Sequence, residues 1–485
     1  MCSKRLDWRK LLNDDRRKPP KDPNQPRKID EHRIELERDY DRILFSTPVR
    51  RLADKTQVFP LDRNDSVRTR LTHSHEVANL ARSIGTALVY QHASELGVPA
   101  ELHPHRSIPS LLGAIGLAHD LGNPPFGHQG EDAIRSWIKN NGRRSENEDG
   151  FGVFDVEGLD EVHRRDFLAF EGNAQAVRLL TRLQIIDDEF GLNMTYAFLA
   201  ALLKYPVSSN NRMDGIHCRK KFNFFQSEAD IVHDVWERTG LREGVRHPLT
   251  IIMEACDDIA YSVIDIEDAV KKRLISVYDV VAWLNHEGKE KDDETILKLC
   301  RKAEDRDKEY RGKKRNVPLS FDEVCDISMQ MFRVDAIASM VVATTEAFVA
   351  NIDMILSGQF EGELLMESKA STLANALKHF AKTNVYKHRS ILEIELTGHG
   401  TIHALMDLFW SAIIDRTDAA NIDSKREDPF SNYVFSRISE NYRRAANLSK
   451  MPMRYRELQL MTDMISGMTD TYAVSLLKDL ERFRG

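Results

Sequence analysis

The 485-residue chain has little with which to build a covalent framework. Its five cysteines, Cys2, Cys218, Cys256, Cys300 and Cys325, are odd in number, widely spaced and without a CxxC pair. That excludes a disulfide-stapled scaffold and a thiolate zinc site, and it suits a reducing compartment. Long apolar runs are missing too. AFLAALL at 197–203, the longest, is far below the roughly 20 residues of a membrane span. The charged start MCSKRLDWRKLL offers no apolar stretch of signal-peptide length. A soluble, cytoplasmic protein with no membrane partner is expected. Net positive charge is absent as well: the formal charge is -7. The chain therefore lacks the overall basic field of a dedicated nucleic-acid binder, and any anion must be met by a local patch.

Sustained strand alternation is scarce, whereas apolar residues recur at helical spacing in THSHEVANLARSIGTALVYQ, SIPSLLGAIGLAHD, GNAQAVRLLTRL, AFLAALLKY and PLTIIMEACDDIAYSVIDIEDAV. The pattern predicts a mainly all-α fold with at most a small β element. ILEIEL at 391–396 is the best strand candidate. Residues 1–28 carry ten Lys/Arg against four Asp, and four prolines. They read as a solvated arm outside regular structure. The stretch 140–160, rich in Gly and acids, reads as a surface loop. The mixed-charge stretch 287–317 reads as an exposed helix ending near Gly312.

What is present in abundance is polar chemistry at one corner. GLAHDLGNPPFGHQGE, 116–131, places His119, Asp120, His128 and Glu131 around a stiff, glycine-flanked turn. In the preceding helix, His73 shares a stripe with Val77, Leu80, Ile84 and Leu88 and so points inward. A histidine on an apolar face is more often a satisfied core residue than a ligand. Asp257, in EACDDIAYSVIDIEDA, lies on a helix with no plain water face, so its carboxylate needs a partner. An ion pair with Arg or Lys and a metal are both open to it. Taken together, two imidazoles and two carboxylates form a nitrogen and oxygen set that suits Mn, Mg, Fe, Co or Ni better than a structural zinc. Pro124 and Pro125 stiffen the following loop so that His128 can face such an ion without binding it. Glu131, three residues on, is spaced to hold His128 as a general acid.

These residues resemble the HD superfamily of metal phosphohydrolases, whose ligand order H…HD…D is matched by His73, His119, Asp120 and Asp257. More closely, the chain is similar to the bacterial dGTPase branch of deoxynucleoside triphosphate triphosphohydrolases. The matching segments are RRLADKTQVFPLDRNDSVRTRLTHSHEVA, AHDLGNPPFGHQGE, FEGNAQAVRLL, EACDDIAYSVIDIEDAV and ISGMTDTYA, in order over residues 50–473. The resemblance implies a divalent metal, Mn or Mg with Fe, Co or Ni as alternatives. It implies hydrolysis of a dNTP, dGTP by preference, to the deoxynucleoside and tripolyphosphate by attack at the α phosphorus. It assigns the four ligands above to the metal, and His128 oriented by Glu131 to proton transfer. Arg70 and Lys204 fall to the phosphates, Gln57 and Val58 to the sugar, Tyr261 to the deoxyribose with Asp265 nearby, and Glu171 to the same site. It also implies a homo-oligomer, often a hexamer.

The resulting domain reading is a basic, Pro-rich arm at 1–30, an HD-domain catalytic core at 31–275 and a charged helical insertion at 276–330. A C-terminal helical region at 331–485 completes the pocket and the oligomer contacts. The alternatives are a broad-specificity dNTPase, a 5'-nucleotidase or phosphodiesterase of the same superfamily, and a nucleic-acid-responsive regulator. In the last, single-stranded DNA is the effector, and the Arg and aromatic interleaving of ENYRRAANLSKMPMRYREL stacks on bases.

Overall fold

Three helices that the apolar spacing predicts form the centre of the molecule: Arg70–Gln91, Pro104–Ala118 and Pro248–Lys271. They are seen in a computed structural model that describes residues 5–19, 32–61, 66–142, 152–154, 159–184, 188–312 and 319–484. The first begins at Thr69, whose hydroxyl accepts from the Thr72 N–H while the Thr72 hydroxyl accepts from the Thr69 N–H. This reciprocal cap satisfies donors that a helix start leaves unpaired. His73, Val77, Ile84 and Leu88 are buried along one stripe, against a core that includes Ile108, Leu111, Leu112 and Ile115 of the second helix. A Cβ at Gly116 would lie 2.7 Å from the Cα of Ala78, so glycine there lets the two backbones touch. The third helix is buried on both faces because helices Phe321–Ala350 and Ser371–Asn384 pack over it.

One hydrophobic cluster takes in residues from Leu6 to Leu480. The 330/331 limit of the sequence reading falls inside helix Phe321–Ala350. Among the described residues there is no strand, only three isolated bridges, so the fold is all-α without the small β element. ILEIEL, expected as a strand, lies in the first turns of helix Arg389–Ile414. Its buried positions, Ile391, Gly398, Ile402, Leu405 and Phe409, recur every three to seven residues on a helical face. Leu392 and Leu396, which a strand would bury together, are exposed. This helix packs on Gly127–Gly142 and on the two last helices, Met453–Ser466 and Asp470–Phe483.

The described part of the mixed-charge stretch covers the end of helix Val277–Glu290 and helix Glu294–Gly312, beyond which residues 313–318 lie outside the described residues. Helix Glu294–Gly312 is amphipathic: Ile296, Leu299 and Cys300 are buried. Most of the expected loop at 140–160 lies outside the described residues. The amino-terminal arm departs from its expectation over residues 5–19. Leu6, Trp8, Leu11 and Leu12 are buried, the Trp8 indole donates to the Leu96 carbonyl, and Arg16 pairs with Glu35 and buried Asp39. Charge counting missed the four apolar side chains interleaved with the basic ones, which supply the buried surface that holds the segment down.

Candidate active site

The second central helix ends at His119, and there the structure collects the predicted polar residues. The Nδ1–H of His119 donates to the Gly116 carbonyl at 2.7 Å, which in the neutral ring leaves Nε2 as the lone-pair nitrogen. That Nε2 is buried and without a hydrogen bond, 3.5 Å from Asp257 Oδ1 and 3.6 Å from Asp120 Oδ1. His73 approaches from its own helix, with Nε2 3.2 Å from Asp257 Oδ1 and its ring 5.5 Å from that of His119. Ligand atoms of His73, His119 and Asp257 all lie within 4.8 Å of one another. Lone pairs facing lone pairs in a buried space repel unless a cation sits among them. The imidazole registers this directly. Burial pulls its pKa down, but Asp120 and Asp257 outweigh burial and raise it to about 9. Burial would raise Asp257, yet Lys204 and His119 hold it well below the usual carboxylate range. The donor set of two imidazoles and a carboxylate, with an orphaned nitrogen among them, fits a divalent metal.

Asp120 stands at the edge of this group. Its Oδ2 accepts from Arg70 Nη1 at 2.5 Å and its Oδ1 from Asn123 Nδ2 at 2.6 Å. Oδ1 keeps a second lone pair on the His119 side, 3.6 Å from its Nε2, so the bond from Asn123 orients the carboxylate without using up its capacity to ligate. Arg70 is buried at the start of the His73 helix. A Cβ at residue 127 would lie 2.4 Å from its Nη2, so Gly127, at φ +58°, makes room for the guanidinium.

These groups open into a cavity of about 570 Å³ whose wall includes Gln57, Val58, Arg70, His119, Asp120, His128, Lys204, Asp257 and Tyr261. Lys204 Nζ is 3.3 Å from Asp257 Oδ2. Tyr261 stacks on Tyr386, rings 5.8 Å apart, and the Tyr386 hydroxyl donates to Asp265 at 2.6 Å. Asp265 is buried behind the pair, and burial pushes its carboxyl up to about 8. Glu171 is also behind the wall, 3.1 Å from Lys221, which itself faces the cavity. Other arginines of the VRTR and RRL segments are architectural: Arg68 binds Glu76, Glu267 and Asp268, and Arg51 donates to Tyr442 and the Gly467 carbonyl. The rings of ENYRRAANLSKMPMRYREL are buried, Tyr442 under Arg51 and Tyr455 on Asp166, so they present no face for base stacking.

His128 opens helix Gly127–Gly142 with its side chain 73% exposed, and Glu131 Oε2 accepts from its Nδ1 at 3.0 Å. Burial would raise Glu131, but the hydrogen bond from His128 and the charge of Lys221 hold it down to about 2. Glu131 is thus a fixed anion that orients the ring and leaves its Nε2 to the cavity. The preceding loop is held by residues to which sequence reasoning assigned no role. Phe126 sits at φ +61°, a conformation that costs an L-residue about 1–2 kcal/mol. Its N–H donates to Asp470 Oδ1 at 2.9 Å, while Asp470 Oδ2 accepts from the N–H and hydroxyl of Thr56, next to Gln57. Buried Lys55 donates to the Asn123 carbonyl at 2.5 Å and to that of Ser466 at 2.7 Å. Residues 466–470 therefore clamp both loops of the cavity mouth. In the sequence Asp470 looks like any acid in a first helical turn, and only its partners more than 300 residues away give it a task. Lys221, Tyr386, Ile391 and Glu395 line the cavity and were likewise missed.

No family model matches the chain. Curated relatives match along nearly all of it. A deoxyguanosinetriphosphate triphosphohydrolase-like protein of Listeria monocytogenes is 33% identical over 485 residues, covering 98% of this chain and 99% of the relative. One of Pseudomonas aeruginosa is 32% identical, covering 98% of each. A deoxyguanosinetriphosphate triphosphohydrolase of Serratia proteamaculans is 33% identical, covering 90% of this chain and 92% of the relative. On identity and coverage of this extent, the chain belongs to the deoxyguanosinetriphosphate triphosphohydrolase family.

Proposed function

We propose that the protein is a metal-dependent dNTP triphosphohydrolase that prefers dGTP and releases deoxyguanosine and tripolyphosphate by attack at the α phosphorus. The observation that carries this reading is the unpaired His119 Nε2 opposite two carboxylates, at the floor of a cavity whose wall also holds Arg70, Lys204, Lys220 and Lys221. His73, His119 and Asp257 would hold the ion, with Asp120 as a fourth ligand oriented by Asn123. When bound, the ion supplies Lewis acidity toward a phosphoryl oxygen and acidifies water.

The chain's own residues supply the rest. A triphosphate brings close to four negative charges, and one guanidinium with three ammonium groups in a single wall matches them in a protein that is acidic overall. Arg70 is the positioning cation because Asp120 and Gly127 fix its plane. His128, with Nδ1 held by ionised Glu131, uses Nε2 to protonate the departing 5' oxygen. Val58, Gln57 and the Tyr261–Tyr386 pair form the sugar wall, with Asp265 keeping Tyr386 in place. Among the described residues, Glu395 is the lining carboxylate outside the helix and loop that carry Asp120 and Asp257. Burial raises its pKa while the Gln129 side chain lowers it by hydrogen bonding. A carboxylate accepts from the N1–H and N2–H2 edge of guanine and from no other common base in the same way, which favours dGTP.

The test is product analysis by phosphorus NMR with each dNTP and rNTP, with Mn2+ or Mg2+, and with or without single-stranded DNA. Tripolyphosphate and deoxyguanosine from dGTP are expected. Pyrophosphate with dGMP, or orthophosphate alone, overturns the reading.

A further inference from the structure

A row of alternating charges runs from the core to the cavity behind the lysines of its wall. Buried Arg246 donates through Nη1 to Glu254 at 2.5 Å and through Nη2 to the carbonyls of Phe360 and Gly362, at 3.2 and 2.6 Å. Glu254 lies one turn before Asp257 on the same helix, and its other oxygen, Oε1, is 2.6 Å from His217 Nε2. His217 Nδ1 is 2.7 Å from Glu363 Oε1. A lone pair on either ring nitrogen would face carboxylate lone pairs at these distances, so both nitrogens carry protons and the ring is an imidazolium. Burial would raise Glu254, but the hydrogen bond from His217 and the charges of Lys204 and Arg246 hold it below the ordinary carboxylate range. The bond from His217 holds Glu363 down to about 2. His217 opens the short turn His217–Arg219, and the wall cation Lys220 follows that turn directly. Lys220 Nζ is 3.1 Å from His217 Nδ1 and 3.7 Å from Glu363 Oε1. The carboxylate tethers this ammonium while the like charge of the ring keeps it from closing onto Glu363, which leaves its donors to the cavity. Lys204, a second wall cation, is 3.3 Å from Asp257 and 3.9 Å from Glu254 Oε1, the oxygen that His217 holds. Without the imidazolium that oxygen would be buried and unpaired, and it would draw Lys204 toward itself.

We propose that His217 is a positioning residue for the triphosphate: fixed between Glu254 and Glu363, it sets Lys220 at the cavity wall and keeps Lys204 from Glu254. The proposal rests on the triphosphohydrolase reading above and adds to it a residue that touches no substrate. The β and γ phosphates keep their charge through attack at the α phosphorus. Cations that hold them therefore act alike on the ground and transition states, and displacing those cations changes KM rather than kcat.

The test compares full-length wild type with His217→Gln at fixed free Mn2+, by dGTP kinetics and by inhibition with tripolyphosphate and with deoxyguanosine. The KM for dGTP and the Ki for tripolyphosphate are each expected to rise about tenfold, with kcat within about twofold and the Ki for deoxyguanosine kept. Unchanged KM and tripolyphosphate Ki overturn the proposal. So does a loss confined to kcat, or one shared equally by deoxyguanosine, which marks a general distortion of the cavity. Should circular dichroism show His217→Gln unfolded, Glu363→Gln decides. Its amide oxygen still accepts from His217 while the tether of Lys220 loses its charge, so a KM about threefold higher is expected, and an unchanged KM overturns the proposal. If wild type releases pyrophosphate from dGTP, the activity reading falls by itself. Calorimetric binding of tripolyphosphate then tests His217 alone: about tenfold weaker binding to His217→Gln supports the positioning role, and equal affinity overturns it.

Discussion

His119 and His247 are both buried histidines at helix ends, and their surroundings are opposite. In His247, Nδ1 accepts from the Leu249 N–H and Nε2–H donates to the Leu11 carbonyl, each at 3.1 Å. Every valence of the neutral ring is met, and burial pushes its pKa down to about 4. His119 satisfies one nitrogen and turns the other, unpaired, toward two carboxylates. The same contrast separates two arginines. Arg178 spends Nε and Nη2 on Asp463 and Nη1 on Glu228, all buried. Arg70 gives only Nη1 to Asp120, and its buried Nε has no partner. Closed sets of bonds are architecture, and open sets facing a cavity await a ligand.

Breaking the open set should cost activity and little stability. His119→Ala or Asp257→Ala is expected to lower kcat more than about 10³-fold, several kcal/mol of transition-state stabilisation, with the melting temperature kept or raised. Breaking the closed set should do the reverse. Arg178→Met leaves Asp463 and Glu228 buried without their cation and is expected to destabilise by about 3–5 kcal/mol, read by urea denaturation.

The two histidines also differ in pH response. The folded pKa of His247 lies below its unfolded value of 6.5, so its contribution is complete above pH 6.5 and is lost as pH falls toward 4. The loss is on the order of 3 kcal/mol, and it should be missing from the stability profile of His247→Asn. The smallest effect belongs to His128, which touches the cavity and is proposed to leave the metal alone. His128→Ala should lower kcat about 10²-fold with metal binding unchanged, and a lost metal would place His128 among the ligands.

How much of this was legible in the sequence follows from how local each signal is. The central helices and the inward face of His73 could be read because helical periodicity is a property of neighbouring residues. The HD doublet and the His128–Glu131 pair could be read because their members are three residues or fewer apart. ILEIEL misled because six residues cannot separate a short alternation from the first turns of a 26-residue helix. The arm misled because charge density was weighed above Leu6, Trp8, Leu11 and Leu12. Lys55 and Asp470 carry no local mark at all, since what defines them is a pair of loops brought together by the last two helices.

The account rests on a cation held between His73, His119 and Asp257. Anomalous diffraction at the manganese edge, from crystals grown with Mn2+, tests it most directly. The expected result is a single strong peak within coordination distance of His73 Nε2, His119 Nε2 and an Asp257 oxygen. An empty cluster, with the manganese elsewhere or absent, would contradict it.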